Sequence, residues 1–170
     1  MTPNEVNSIR SEALQCDTDA QCSLGCAYWD SDGVEQDYEE AVYWFRKAAE
    51  QGDDNAQFYL GRAYCYGDGV EQDYEEAVYW FRETAEQGWA PSQCNLGAAY
   101  MEGTGVKQDP QKAVKWFRKS AEQDWPHAQY CLGMAFKLGY TEDRGRDDPY
   151  YWLSRAAKNG DEDAIEELKK

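Results

Sequence analysis

The chain has 170 residues and a formal net charge of −16, from 33 acidic and 17 basic side chains. Aromatic residues at 15%, with 7 Trp and 13 Tyr, exclude a disordered chain, which is poor in aromatics, and the length suits one domain with a real core. The acidity argues against phosphate backbones and anionic lipid as partners and favours cationic ones; the single histidine, His127, excludes a His-rich metal site.

The charge is lopsided. Residues 1–85 hold 19 acidic and 5 basic side chains, and residues 86–170 hold 14 and 12. No apolar run approaches the ~18 residues of a membrane span. The opening MTPNEVNSIRSEALQ lacks the apolar core of a signal peptide, so the expected location is the cytoplasm.

Thr2-Pro3 opens the first predicted helix, since Pro is tolerated in a first turn. Residues 1–17 read as a capping helix, with Asn7–Cys16 aligned to the second helix of the unit that follows. From residue 18 the chain is periodic. Leu24, Leu60, Leu96 and Leu132 lie 36 residues apart, each followed by a glycine: Gly25, Gly61, Gly97 and Gly133. Trp44, Trp80, Trp116 and Trp152 keep the same period, as do Ala49, Ala85, Ala121 and Ala157. The repeats are 18–53, 54–89, 90–125 and 126–161. Residues 162–170 form a C-terminal cap in which Ala164–Leu168 begins a further helix. The whole is expected to be a single repeat domain.

Each unit predicts two helices. The first, such as Ala56–Tyr66, carries AQxxLGxAY; the second, such as Asp73–Gln87, carries DYEEAVYWFRxxAEQ. In the second, Ala77, Trp80, Phe81 and Ala85 recur at helical spacing and mark a buried stripe. Asp37, Asp73 and Asp109 are its expected N-caps, and Gly52, Gly88 and Gly160 its left-handed ends. The turns Asp32-Gly33-Val34, Asp68-Gly69-Val70 and Thr104-Gly105-Val106 each end on an apolar plug. A glycine inside a helix costs ~1 kcal/mol relative to Ala, so one in every repeat predicts close helix–helix approach. In the fourth unit GYTEDRGRDDP replaces this turn. Asp148-Pro149 starts a shortened helix there, and Tyr140–Asp147, with Arg144 and Arg146, reads as a decayed terminal repeat.

These residues, above all AQFYLGRAYCYGDGVEQDYEEAVYWFRETAEQG, resemble the Sel-one-like repeat family, relatives of the tetratricopeptide repeats, over about residues 18–160. The resemblance implies an all-α fold: an α-solenoid of about four 36-residue helix-turn-helix repeats, capped at both ends and wound as a right-handed superhelix. It says little about function, because such scaffolds host many roles.

Differences between the repeats are more informative. Residues 35–52 and 71–88 agree at 16 of 18 positions, differing only at Lys47/Glu83 and Ala48/Thr84. Residues 20–31 and 56–67 agree at 6 of 12, so variation concentrates on the first helix. In tetratricopeptide-like superhelices the first helices line the concave face. Carried over by register, its solvent-facing positions are Cys22, Cys26, Trp29 and Asp30; Phe58, Arg62, Cys65 and Tyr66; Cys94 and Met101; and Tyr130 and Met134. A merely solvated face would be rich in Lys and Glu. This one is apolar, aromatic and sulfur-rich, the composition of adaptable binding surfaces.

The expected function is a non-enzymatic protein–protein interaction scaffold or adaptor that holds a protein or peptide partner, a basic one, in its concave groove. The alternative is a cognate inhibitor or immunity protein that neutralises a cationic toxin or nuclease, a role in which members of the family are found. No nucleic acid, membrane, cofactor or metal is expected to bind, and the chain is expected to be monomeric on its own. Cys22 and Cys26, four residues apart, match two ligands of a soft metal, but nothing in the spacing supplies the others. The two-cysteines-per-repeat pattern of related secreted cysteine-rich proteins is absent, so reduced thiols packing as small hydrophobes are expected. Trp89 and Trp125 read as loop plugs over helix ends. The acids Glu35, Asp37, Glu39, Glu40, Glu71, Asp73, Glu75 and Glu76 read as a solvated stripe rather than a catalytic pair, since no pocket is indicated. No P-loop, GxGxxG, GxSxG or HExxH motif occurs.

Overall fold

A computed structural model describes residues 1–140 and 148–170, and among these all regular structure is helical. The helices are α1 (Pro3–Ala13), α2 (Thr18–Asp30), α3 (Tyr38–Ala49), α4 (Asp54–Tyr66), α5 (Tyr74–Glu86), α6 (Ala90–Glu102), α7 (Pro110–Ala121), α8 (Pro126–Lys137), α9 (Pro149–Lys158) and α10 (Glu162–Glu167). The chain divides into two compact units, Met1–Thr84 and Ala85–Lys170. Arg144 and Arg146, read above as part of a decayed loop, lie outside the described residues.

Local chemistry sets the helix ends. The Asp37 carboxylate accepts from the Glu40 N–H at 3.0 Å, Asp73 from Glu75 and Glu76 at 2.9 and 3.1 Å, and Asp109 from Lys112 at 3.0 Å. Each satisfies N–H groups that a helix leaves orphaned at its start. Asp148 caps α9, with Pro149 behind it in the first turn. The residues after the second helices are left-handed, with φ of +91° at Gly52, +103° at Gly88 and +93° at Gly160. Cys16 (+66°) and Asp124 (+63°) hold the same register without being glycine. Asp124 is held there by its carboxylate, which accepts from Arg155 Nε at 3.0 Å, Gln129 Nε2 at 3.0 Å and Asn159 Nδ2 at 3.4 Å.

In the N-terminal unit, α2 packs on α1 and α3, and α3 on α4. On α3 the residues Ala41, Val42, Phe45, Ala48 and Ala49 are buried while Tyr43, Arg46 and Glu50 are exposed, the stripe of an amphipathic helix. Phe45 is fully buried, which stabilises by ~1.5–3 kcal/mol. Its ring lies where a Cβ on Gly25 would sit, at 2.6 Å, and Phe81 stands in the same relation to Gly61. Close approach is therefore what the helical glycines allow. Val34 and Val70 pack against core clusters as the expected plugs. The turn is tied down by Asp37 N–H to Tyr28 O at 3.1 Å and Gln36 Nε2 to Trp29 O at 2.8 Å, repeated at Asp73 with Tyr64 and Gln72 with Cys65.

The C-terminal unit uses the same devices. Gly97 faces Phe117 at 2.6 Å, and Gly133 faces Leu153 at 2.9 Å. Helix α7 packs on α6 and α8, α8 on α9, and α9 on α10. A buried glutamine recurs at the start of the first helices: Gln93 Nε2 donates to Ala85 O at 3.0 Å and Gln129 Nε2 to Ala121 O at 3.1 Å. Gln21 and Gln57 do the same in the N-terminal unit, donating to Ala13 O and Ala49 O at 3.0 and 3.4 Å. Each satisfies a carbonyl at the end of the preceding helix, which would otherwise be buried without a partner.

Candidate partner-binding surface

The twelve residues picked out by register do not all reach a surface. In the N-terminal unit Cys22 is 8% and Trp29 6% exposed, and in the C-terminal unit Cys94 is 3% exposed. These three were expected to face solvent and instead belong to the core. The physical reason for Trp29 is Tyr59. Where α2 has Ser23, α4 has a tyrosine, and its ring stacks on Phe45 with centroids 4.7 Å apart and planes 5° apart. Trp29 packs edge-on to this ring at 5.5 Å and to Tyr38 at 4.9 Å, closing an aromatic cluster. The Arg62 guanidinium lies 5.4 Å from the Trp29 ring centroid and 5.8 Å from that of Tyr59.

What remains accessible in the N-terminal unit is Asp30 and Tyr66, both exposed, with Cys26, Phe58, Arg62 and Cys65 half-buried around them. Tyr66 is 66% exposed at the end of α4. Phe58 has its ring centroid 6.1 Å from that of Phe81 and so joins this surface to the core. In the C-terminal unit Met101, Tyr130 and Met134 are half-buried. Met101 packs against the cluster around Leu132 and Phe136, and Tyr130 stacks on His127 at 5.9 Å.

The six cysteines all lie among the described residues, and none forms a disulfide. The neighbouring Cys26 thiol and burial push the Cys22 thiol up, away from a reactive thiolate. Cys131 is pushed up likewise by its bond to Cys94 and by burial. Among the described residues no group of three or more His, Cys, Asp or Glu side chains is arranged to hold a metal ion. A shallow depression of about 410 Å³ is lined by Tyr100, Val106, Lys107, Gln108, Asp109 and Lys112. No described helix is long and apolar enough to cross a membrane.

Sequence reasoning missed the outer rings. Tyr43, Tyr79 and Tyr151 are 51%, 49% and 51% exposed on the second helices, at one register position. The signal was present: the tyrosine of VYWF lies off the buried stripe in a motif otherwise filled by core residues. Trp125 is 39% exposed and Trp89 is half-buried.

A model of the Sel1 repeat matches residues 18–53, 54–89, 90–125 and 126–161. No curated protein matches the chain. Among solved structures, the chain is similar to c5321, a protective antigen of uropathogenic Escherichia coli that displays an SLR fold. The two share 36% identity at a TM-score of 0.88, over 96% of this chain and 35% of that one. The chain thus spans about a third of the length of c5321. It is also similar to a Sel1 repeat protein from Oxalobacter formigenes, at 35% identity and a TM-score of 0.85, over 98% of this chain and 68% of the other. Cysteine rich protein B of Helicobacter pylori shares the fold at 20% identity and a TM-score of 0.60, over 78% of this chain and 98% of that one. With four matched repeats and a relative of which it covers two thirds, the chain belongs to the Sel1 repeat family.

Proposed function

We propose that this chain is a non-enzymatic scaffold that binds a basic protein or peptide partner on its first helices. Sel1 repeat proteins generally act in protein–protein interaction, as non-catalytic scaffolds. The contact set is Cys26, Asp30, Phe58, Arg62, Cys65 and Tyr66 in the N-terminal unit, with Met101, Tyr130 and Met134 in the other. The observation that carries the reading is Tyr66. It is a large aromatic ring, 66% exposed, at a position where an idle surface would hold Lys or Glu. Exposed tyrosines beside a half-buried arginine are typical anchors of an interface. The acidic N-terminal half steers a cationic partner and raises the on-rate more than the affinity.

The test is capture of partners from source-cell lysate at low and high salt, with wild type beside Tyr66→Ala. Tyr66→Ala should lower capture at least about tenfold, the scale of an interface hot spot. Thermal stability should stay within about 0.5 kcal/mol, as for an exposed side chain. Phe58→Ala is the poorer probe, because its contact with Phe81 ties it to the core. Unchanged capture by Tyr66→Ala would overturn the proposed surface. One stoichiometric basic protein released by salt is the result expected of a dedicated inhibitor of a cationic toxin. Several proteins retained at high salt are expected of an adaptor.

A further inference from the structure

Helices α3 and α5 carry almost one sequence, yet one of their two differences exchanges Lys47 for Glu83. On α3 the Lys47 ammonium sits 5.0 Å from the centroid of the Tyr43 ring, one turn earlier. The pattern recurs on other second helices: Lys119 lies 4.2 Å from the Trp116 ring, and Arg155 lies 5.7 Å from that of Trp152. In each case the cation at this register meets a ring of its own helix, as a ring quadrupole favours: an exposed one at Tyr43, a half-buried one at Trp116 and a buried one at Trp152.

Helix α5 breaks the pattern. Tyr79 is held as Tyr43 is, edge-on to the neighbouring tryptophan, with centroids 5.0 Å apart in both pairs. It is 49% exposed. Position 83, which would supply the cation, is a glutamate. Glu75 and Glu76 come three and four residues before Tyr79 and Glu83 four after, so all three share its side of the helix. On α3 it is Lys47, and not Arg46, that lies by the Tyr43 ring; Arg46 donates to the Tyr64 hydroxyl at 2.9 Å.

We propose that Tyr79, with Glu75, Glu76 and Glu83, seats a lysine side chain of a basic partner segment, which takes on α5 the place that Lys47 fills on α3. Charge complementarity selects this occupant: the ring face and three carboxylates attract an ammonium, whereas a net charge of −16 opposes a second copy of the chain. The seat lies on a second helix and does not rest on the first-helix surface proposed above.

The probe is a fluorescein-labelled octalysine peptide, titrated with the full chain at low ionic strength and read by anisotropy. Wild type should bind it and not bind the fully acetylated peptide. Glu83→Lys installs the internal occupant and should weaken binding about tenfold. Lys47→Glu vacates the ring of Tyr43 and should strengthen it several-fold. Tyr79→Leu removes the quadrupole without changing charge and should cost about threefold, the scale of one exposed cation–π contact. Glu12→Lys on α1 makes the same charge change as Glu83→Lys and should cost less than half as much. Equal losses from Glu83→Lys and Glu12→Lys, or no loss from Tyr79→Leu, would overturn the seat. Tyr150→Ala removes an exposed ring on α9 that belongs to neither proposed surface, and it should leave this peptide's affinity unchanged. Thermal melts of each variant confirm folding.

Discussion

A single hydrogen in place of a methyl group sets the distance between paired helices. Gly25, Gly61, Gly97 and Gly133 stand at one register, and a Cβ on any of them would press into Phe45, Phe81, Phe117 or Leu153 at 2.6 to 2.9 Å. Overpacking of this kind costs typically 1–3 kcal/mol, partly offset by the better helix propensity of alanine. Gly97→Ala should therefore lose about 1–2 kcal/mol in urea unfolding, and adding Phe117→Leu should recover part of it, because leucine already faces Gly133. The need for these glycines was legible in the sequence, since nothing but close approach explains a glycine inside every first helix. The fate of Trp29 was not. Register assigned it to solvent, but a ring's burial depends on its neighbour's size, and Tyr59 in place of Ser23 turns that position inward.

At the scale of the element, helix ends decide stability. Caps at Asp37, Asp73, Asp109 and Asp148 could be read directly, because an N-cap is a local device with a local sequence signature. The buried glutamines could not. Gln21, Gln57, Gln93 and Gln129 appear in the sequence only as a repeated letter, and their partners are carbonyls eight residues back that become neighbours once the turn has formed. The last element, α10, is short and is anchored at its end by Glu167. Bonds from Lys137 and Lys170 hold the Glu167 carboxyl down to about 2, against an ordinary 4.5. A depressed carboxyl contributes stability that is present above its unfolded value and lost as pH falls through the folded one. Wild type should thus exceed Glu167→Gln in stability at pH above about 5, and the gap should close between about 4.5 and about 2. Thermal melts across that range check it; a gap that persists at the acid end would show that the glutamate acts by packing.

For the molecule as a whole, the charge matters most. A net −16, with most of the excess before residue 86, makes self-repulsion a standing cost of the folded state. Raising salt from about 20 mM to about 200 mM shortens the Debye length from tens of ångströms to under ten. It should raise the melting temperature by about 3 °C, the equivalent of roughly 1 kcal/mol for a chain of this size. A fall instead would mean that ion pairs such as Arg155 with Asp124 outweigh the repulsion. The four-repeat organisation was legible because a 36-residue period is a property of letters alone. The division of the first helices into core and surface was not, because it depends on which side chains meet. The fastenings that hold the repeats join residues close in sequence: glutamine to the carbonyl eight back, Arg46 to Tyr64 eighteen on, Asn159 to Gln129 thirty back. Gaining or losing 36 codons keeps the glutamine bonds in register, whereas any other step puts the helices out of phase. Unequal recombination within such a gene can lengthen or shorten the array of repeats without inventing a new fold.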